Sequence, residues 1–216
     1  MISKKPELIQ DLINDLNNSI DYVVLRGYES IPYNTTGDID LLISKNSFVK
    51  FNNIIKELKQ KHDLCEIDNV DRHYVYMYRL FHFDLGLNYG LKIDIHFFES
   101  YRGAIYLDAE TILSDAISYS GVQIPSYEHQ VIFNYVQSIA GMGYLQKKRI
   151  KRIFNQLELC DTKILENTIN TLFRKKASSI LINAFKTKNL SITNSDLKSL
   201  RRSILVKAYK NNFGKS

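Results

Sequence analysis

The sequence predicts an α+β protein, with a small mixed-sheet domain over residues 1–105 and a helical bundle over residues 106–216. Up to about residue 100, short apolar runs bounded by turn residues alternate with amphipathic stretches. From about residue 106 the apolar positions recur with helical spacing. Charge divides too: residues 1–141 carry 12 Lys/Arg against 19 Asp/Glu, and residues 142–216 carry 17 against 4.

Each element follows from its local pattern. Pro6 suits a first helical turn, where its missing N–H has no partner to lose, and Leu8, Ile9, Leu12, Ile13 and Leu16 then share one helical face. Tyr22-Val23-Val24-Leu25, ended by Gly27, reads as a buried strand. Residues 28–37 hold Ser30, Pro32, Asn34, Thr35, Thr36 and Gly37, the composition of a loop. A strand carrying Asp38 and Asp40 follows. Ser44 to Ser47 then offer caps for a helix that buries Phe48, Phe51, Ile54, Ile55 and Leu58. Residues 64–68 and 73–84 read as extended, and Leu85-Gly86-Leu87-Asn88-Tyr89-Gly90 reads as the turn into a strand around Asp94. The helices of this domain are expected on one side of its sheet.

In the second half, Val131, Ile132, Tyr135, Val136 and Ile139 make a helical stripe stopped by Gly141-Met142-Gly143. Further stripes begin at Ile150, Ile164, Ile180 and Leu197, and together they describe a bundle.

Bulk properties narrow the function. A chain of 216 residues with 44% hydrophobic and 24% charged residues buries a real core and is not disordered. Cys65 and Cys160 lie outside any metal-ligand spacing and read as small buried residues of a reduced compartment. The N-terminal stretch reads as an amphipathic helix rather than a signal peptide, and no apolar run reaches membrane-spanning length, so the cytoplasm is expected. The sequence holds no G-x-S-x-G, no Cys–His spacing and no P-loop, which removes the corresponding chemistries.

Two runs stand out, Gly37-Asp38-Ile39-Asp40-Leu41-Leu42-Ile43 and Lys92-Ile93-Asp94-Ile95-His96. Each sets carboxylates inside an apolar strand, where an uncompensated charge costs several kcal/mol. Asp38 and Asp40 are two apart, so on a strand both leave the same face. Asp94 on a neighbouring strand completes a three-carboxylate cluster, the donor type that Mg²⁺ prefers. Asp38 alone also suits a turn, but that does not account for Asp40 inside the strand. His96 shares a face with Asp94, as a metal ligand, an orienting group or a structural histidine.

Arg26-Gly27-Tyr28, the loop, Asp38-x-Asp40 and the later Ile93-Asp94-Ile95 resemble the nucleotidyltransferase superfamily that includes DNA polymerase beta and kanamycin nucleotidyltransferase. The match is closest to nucleotidyltransferases of bacterial surface-polysaccharide gene clusters and covers roughly residues 20–100. The resemblance implies a nucleotidyltransferase domain in which Asp38, Asp40 and Asp94 are catalytic and hold two Mg²⁺ ions, with Mn²⁺ as a substitute. It implies transfer of a nucleoside monophosphate from an NTP such as ATP to a hydroxyl of a small molecule or glycan, with pyrophosphate released. Arg26, Gly27 and Tyr28 would meet the nucleotide, Gly27 by letting backbone approach phosphate. Tyr28 stands where the family usually has Gly or Ser, which motivates a catalytically degenerate binding relative as one alternative.

The basic run Lys147, Lys148, Arg149, Lys151 and Arg152 is a candidate grip on the triphosphate, an RNA-facing patch or a solvated face. It motivates the second alternative, a toxin-type enzyme acting on tRNA. Arg102 is a weaker phosphate candidate. Tyr74, Tyr76 and Tyr78 share a strand face and read as sheet packing, with base stacking as the alternative.

Overall fold

The computed structural model describes residues 5–33, 37–71, 75–83 and 86–213, without the side chains of 67–69, 86–88 and 207–213. In chain order these form α1 (Lys5–Ser19), β1 (Tyr22–Arg26), β2 (Ile39–Ile43), α2 (Phe48–Lys61), β3 (Leu64–Asp71), β4 (Val75–His82) and β5 (Gly86–His96). Next come β6 (Phe98–Tyr101), β7 (Ala104–Asp108), α3 (Ala109–Ser114), β8 (Ile117–Tyr119) and β9 (Val122–Ile124). The chain ends in α4 (Tyr127–Val136), α5 (Lys147–Leu157), α6 (Thr162–Leu172), α7 (Lys175–Lys186) and α8 (Asn194–Phe213). The fold is α+β, and the chain divides into two compact units: Met1–Phe97 with Ala109–Pro125, and Phe98–Asp108 with Ser126–Ser216.

The first unit is built on a five-stranded sheet in the order β1-β2-β5-β4-β3. β2 and β5 run parallel, and the other neighbours are antiparallel. Strand periodicity sorts its two faces. Ile39, Leu41 and Ile43 of β2 and Ile93 and Ile95 of β5 point to one side, where they pack with Leu8, Leu12 and Leu16 of α1 and Phe51, Ile55 and Leu58 of α2. The intervening residues, Asp40, Asp94 and His96, therefore leave from the other face. A staple joins the covering helices to the sheet: His62, just after α2, places Nε2 2.7 Å from Asp11 of α1 and Nδ1 2.9 Å from the Tyr89 hydroxyl of β5. Lys61 Nζ adds a contact of 2.9 Å to the same Asp11 oxygen.

Three expectations need correction. Gly86 to Gly90 belong to β5 rather than to a turn. Gly90 is there because β4 passes so close that a β-carbon would collide with the Leu80 carbonyl oxygen, a demand of the sheet that looks like a turn signal in sequence. Helix was expected from about residue 106, but 106–108 end a short hairpin over residues 98–108, and 117–124 form a second hairpin. Their turns are Arg102-Gly103 and Ser120-Gly121, with φ of 51° and 78°, and 50° and 82°. Left-handed conformation at both central positions matches the twist of a tight two-residue hairpin. Finally, Cys65 is exposed on the edge strand β3 and Cys160 is half-buried; both are free thiols.

The second unit contains the β6–β7 hairpin and α4–α8. α4 runs directly into a π-helical turn over Gln137–Met142, ended by Gly143 at φ 82°. A buried polar network ties α4 to α5: Asn134 donates to Gln156 at 3.3 Å, and Gln156 donates to Gln130 at 2.5 Å. Among the described residues no helix is long and apolar enough to cross a membrane.

Candidate active site on the sheet face opposite α1 and α2

The site grows from the register of two parallel strands. Asp40 of β2 and Asp94 of β5 are direct partners across the β2–β5 ladder. Partners on neighbouring strands share a face, so the two carboxylates rise side by side from the face opposite α1 and α2. Asp38, two residues before Asp40, precedes β2 and is the most exposed of the three, at 38% of its side chain against 10% for Asp40 and 17% for Asp94.

Two arginines compensate this charge. Arg26, the last residue of β1 and the register partner of Asp40, donates from Nε at 2.6 Å and from an Nη at 2.7 Å to the two Asp40 oxygens. Arg79 of β4 donates to Asp94 at 3.0 Å, lies 3.8 Å from Asp38, and also donates to the Tyr78 carbonyl at 3.0 Å. Burial alone would raise the Asp40 pKa, but His96 and Arg26 outweigh it and hold the carboxyl below its ordinary value. His96 Nε2 lies 3.5 Å from Asp40 and is buried with no hydrogen-bond partner among the described residues. Lys92, exposed and two residues before Asp94 on the same strand face, adds a further positive charge.

Thus Asp38, Asp40, Asp94, His96 and Arg26 meet on one face. Gly27 follows Arg26 at φ 75° with open space where a β-carbon would point, so only its backbone conformation selects glycine. Tyr28 lies in the apolar core at 4% exposure, with its ring edge-on to Tyr119 at 5.3 Å. Lys147 and Lys148 belong to the second unit, where they are exposed in the first turn of α5. Arg102 is in the second unit as well, with its guanidinium 5.5 Å from the centre of the Tyr101 ring. Tyr76 and Tyr78 pack with Phe48 and Phe51, and Tyr74 lies outside the described residues.

Sequence reasoning passed over Arg79. Its signal was available: a charged residue inside an otherwise aromatic and apolar strand requires a partner, and Asp94 needed one as well. Lys92 carries the weaker signal of its spacing from Asp94.

The donor set suits a hard divalent cation. Asp40 and Asp94 are register partners, Asp38 and Asp94 approach the same Arg79, and the His96 Nε2 without a hydrogen-bond partner lies 3.5 Å from Asp40. The guanidinium contacts of Arg26 and Arg79 engage the same oxygens, and no cluster of three or more His, Cys, Asp or Glu is gathered in metal-binding geometry among the described residues. The residues fit a metal by chemistry, provided that a guanidinium yields.

No family model matches the chain, and no curated protein matches it. Among solved structures it is similar to JHP933 from Helicobacter pylori, at 13% identity and TM-score 0.48, over 99% of this chain and 97% of that one. It is also similar to the antibiotic-resistance factor ANT(2″)-Ia. The complex of that protein with adenylyl-2″-tobramycin matches at 12% identity and TM-score 0.46, over 86% of this chain and 98% of that one.

Proposed function

We propose that the chain is a Mg²⁺-dependent nucleotidyltransferase that moves a nucleoside monophosphate from an NTP to a hydroxyl acceptor. The observation that carries the reading is the side-by-side placement of Asp40 and Asp94 on parallel strands, with Asp38 reaching the same arginine as Asp94. Asp38, Asp40 and Asp94 are the residues to hold the cation, with Mn²⁺ as a substitute and His96 beside Asp40. Divalent cations supply charge neutralisation of the triphosphate and of the entering and leaving oxygens.

The chain's own side chains do the rest. Following the motif resemblance, we assign Asp94 the role of accepting the proton of the acceptor hydroxyl. Arg26, Arg79 and Lys92 supply positive charge at the rim, suited to the phosphates and to departing pyrophosphate. Gly27 opens backbone room at the end of β1. Tyr28, as a core residue, sets the shape of that turn from beneath. We read the acceptor as a small alcohol or glycan of bacterial surface-polysaccharide synthesis, and the setting as the cytoplasm, following the motif resemblance.

The test is release of pyrophosphate from each NTP with Mg²⁺ and a panel of hydroxyl acceptors. Asp38→Asn and Asp94→Asn are expected to abolish release while far-UV circular dichroism is unchanged. Full activity in either variant refutes the mechanism. An RNA acceptor is a second reading, favoured by exposed Lys147, Lys148 and Lys151 along α5. It requires RNA binding that weakens steeply with salt.

A further inference from the structure

We propose that Arg102 and Arg201, gathered at the Tyr101 ring, form a binding site for the phosphate group of a small phosphorylated ligand. The site lies wholly within the second unit and stands or falls apart from nucleotidyl transfer.

Three segments distant in the chain build it. Arg102 opens the β6–β7 turn at φ 51°, and its guanidinium carbon lies 5.5 Å from the centre of the preceding Tyr101 ring. Arg201 of α8 brings a second guanidinium carbon to 5.8 Å from the same ring centre. Its Nε donates to the Ala140 carbonyl oxygen of the π-helical turn at 3.0 Å, which orients the group. The terminal N–H groups of Arg201 are left without an acceptor among the described residues. The Tyr101 ring is buried, Arg201 is half-buried and Arg102 is exposed, so solvent reaches the pair from the Arg102 side.

Neither arginine is paired with a carboxylate among the described residues. The acids of the surrounding elements are engaged or distant. Glu99 of β6 is buried and accepts from the Tyr106 hydroxyl at 3.4 Å. Asp108 lies at the end of β7 away from the turn, in register with Phe98. Asp196 of α8 accepts from the Thr193 hydroxyl at 2.8 Å. The π-helical turn carries no acid, and residues 207–216, whose side chains are the undescribed ones of this unit, contain none. α8 instead adds exposed Lys198 and Arg202 beside Arg201.

A ring face attracts a guanidinium but does not neutralise it, and two like charges at one ring repel each other. Arg26 and Arg79 each have an aspartate; this pair lacks its anion. A guanidinium presents parallel N–H groups that match two phosphate oxygens. A phosphate monoester brings close to two negative charges and three acceptor oxygens, enough for two guanidinium groups, whereas a carboxylate serves one.

Isothermal titration calorimetry of the full chain tests the site, in EDTA and chloride at fixed ionic strength, with inorganic phosphate, glycerol 3-phosphate and a short oligouridylate as probes. The native chain is expected to bind the phosphates, and Arg102→Gln and Arg201→Gln each to weaken that binding by about tenfold or more. Lys163→Gln removes one exposed charge from α6 of the same unit and is expected to leave the affinity within about twofold. Arg102 is exposed in a turn, so its variant carries the test if Arg201→Gln does not fold. Tighter binding of glycerol 3-phosphate supports the site with an ester as occupant, and equal affinity supports it with free phosphate. Binding of neither, binding that survives the arginine substitutions, or an equal loss in Lys163→Gln overturns the site. Oligouridylate binding alone overturns the small ligand.

Discussion

Replacing Asp40 with asparagine separates a compensated carboxylate cluster from a bare one by the sign of its effect on stability. A bare cluster repels itself, so neutralising one member stabilises the fold. Here Asp40 receives two short charge-assisted bonds from Arg26 while only 10% of its side chain is exposed. Hydrogen bonds to charged groups contribute about 1.5–3 kcal/mol each. Asparagine keeps one acceptor oxygen but turns an N–H₂ toward the remaining guanidinium N–H, so one bond is lost outright.

Two effects temper the loss. Arg26 is 36% exposed and recovers water, so the penalty stays below the roughly 3–5 kcal/mol of a stranded buried charge. The repulsion relieved at Asp94 is small, because Arg79 sits 3.0 Å from that carboxylate and already offsets it. The net expectation is a loss of about 2 kcal/mol, or about 4–8 °C in midpoint for a chain of this length. Urea unfolding in EDTA reports it through tyrosine fluorescence, since the chain has 14 tyrosines and no tryptophan. An asparagine variant as stable as the native chain, or more so, refutes the compensation argument.

Two further outcomes test other parts of the structure. Burial acts to raise the Asp11 pKa, but Lys61 and His62 outweigh it and the net shift is downward. Its contribution is therefore fully present above the unfolded value near 3.9 and is lost as pH falls through the lower folded value. Asp11→Asn should lower the urea midpoint at pH 7, and the gap from the native chain should close below about pH 4; a gap that persists at acid pH argues against the staple. Burial, aided by Glu128, pushes the Cys160 thiol up to about 12, while Cys65 is exposed. One thiol per native chain should react rapidly with a disulfide reagent at pH 8 and the second only after unfolding; two fast thiols contradict the burial of Cys160.

The sequence made the buried face of the sheet legible because a period of two leaves little choice. With Ile39, Leu41, Ile93 and Ile95 facing α1 and α2, Asp40 and Asp94 have to share the opposite face. Their alignment as direct partners was not legible. It depends on the parallel register of β2 with β5, which are separated in the chain by α2, β3 and β4. The residue type at Gly90 misled for a physical reason, since glycine serves both tight turns and close backbone approach, and only the neighbouring strand decides which. Gly121 was the reverse case: a real hairpin turn hidden because the strands around it are short and lie in a stretch read as helical.

Arg79 marks the deeper limit. A carboxylate in an apolar strand announces that it needs a partner, yet metal ions and guanidinium groups answer that need equally well. The local pattern around Asp94 therefore raises the question of compensation without choosing the answer. The choice belongs to β4, which delivers a guanidinium from the next strand over, as β1 delivers Arg26 to Asp40. Compensation by arginine and binding of metal draw on the same electrostatic need, and a site that uses both must exchange one for the other. Compensation by Arg26 and Arg79 is what lets the chain keep Asp40 and Asp94 together on one face, and it is why neutralising Asp40 is expected to cost stability.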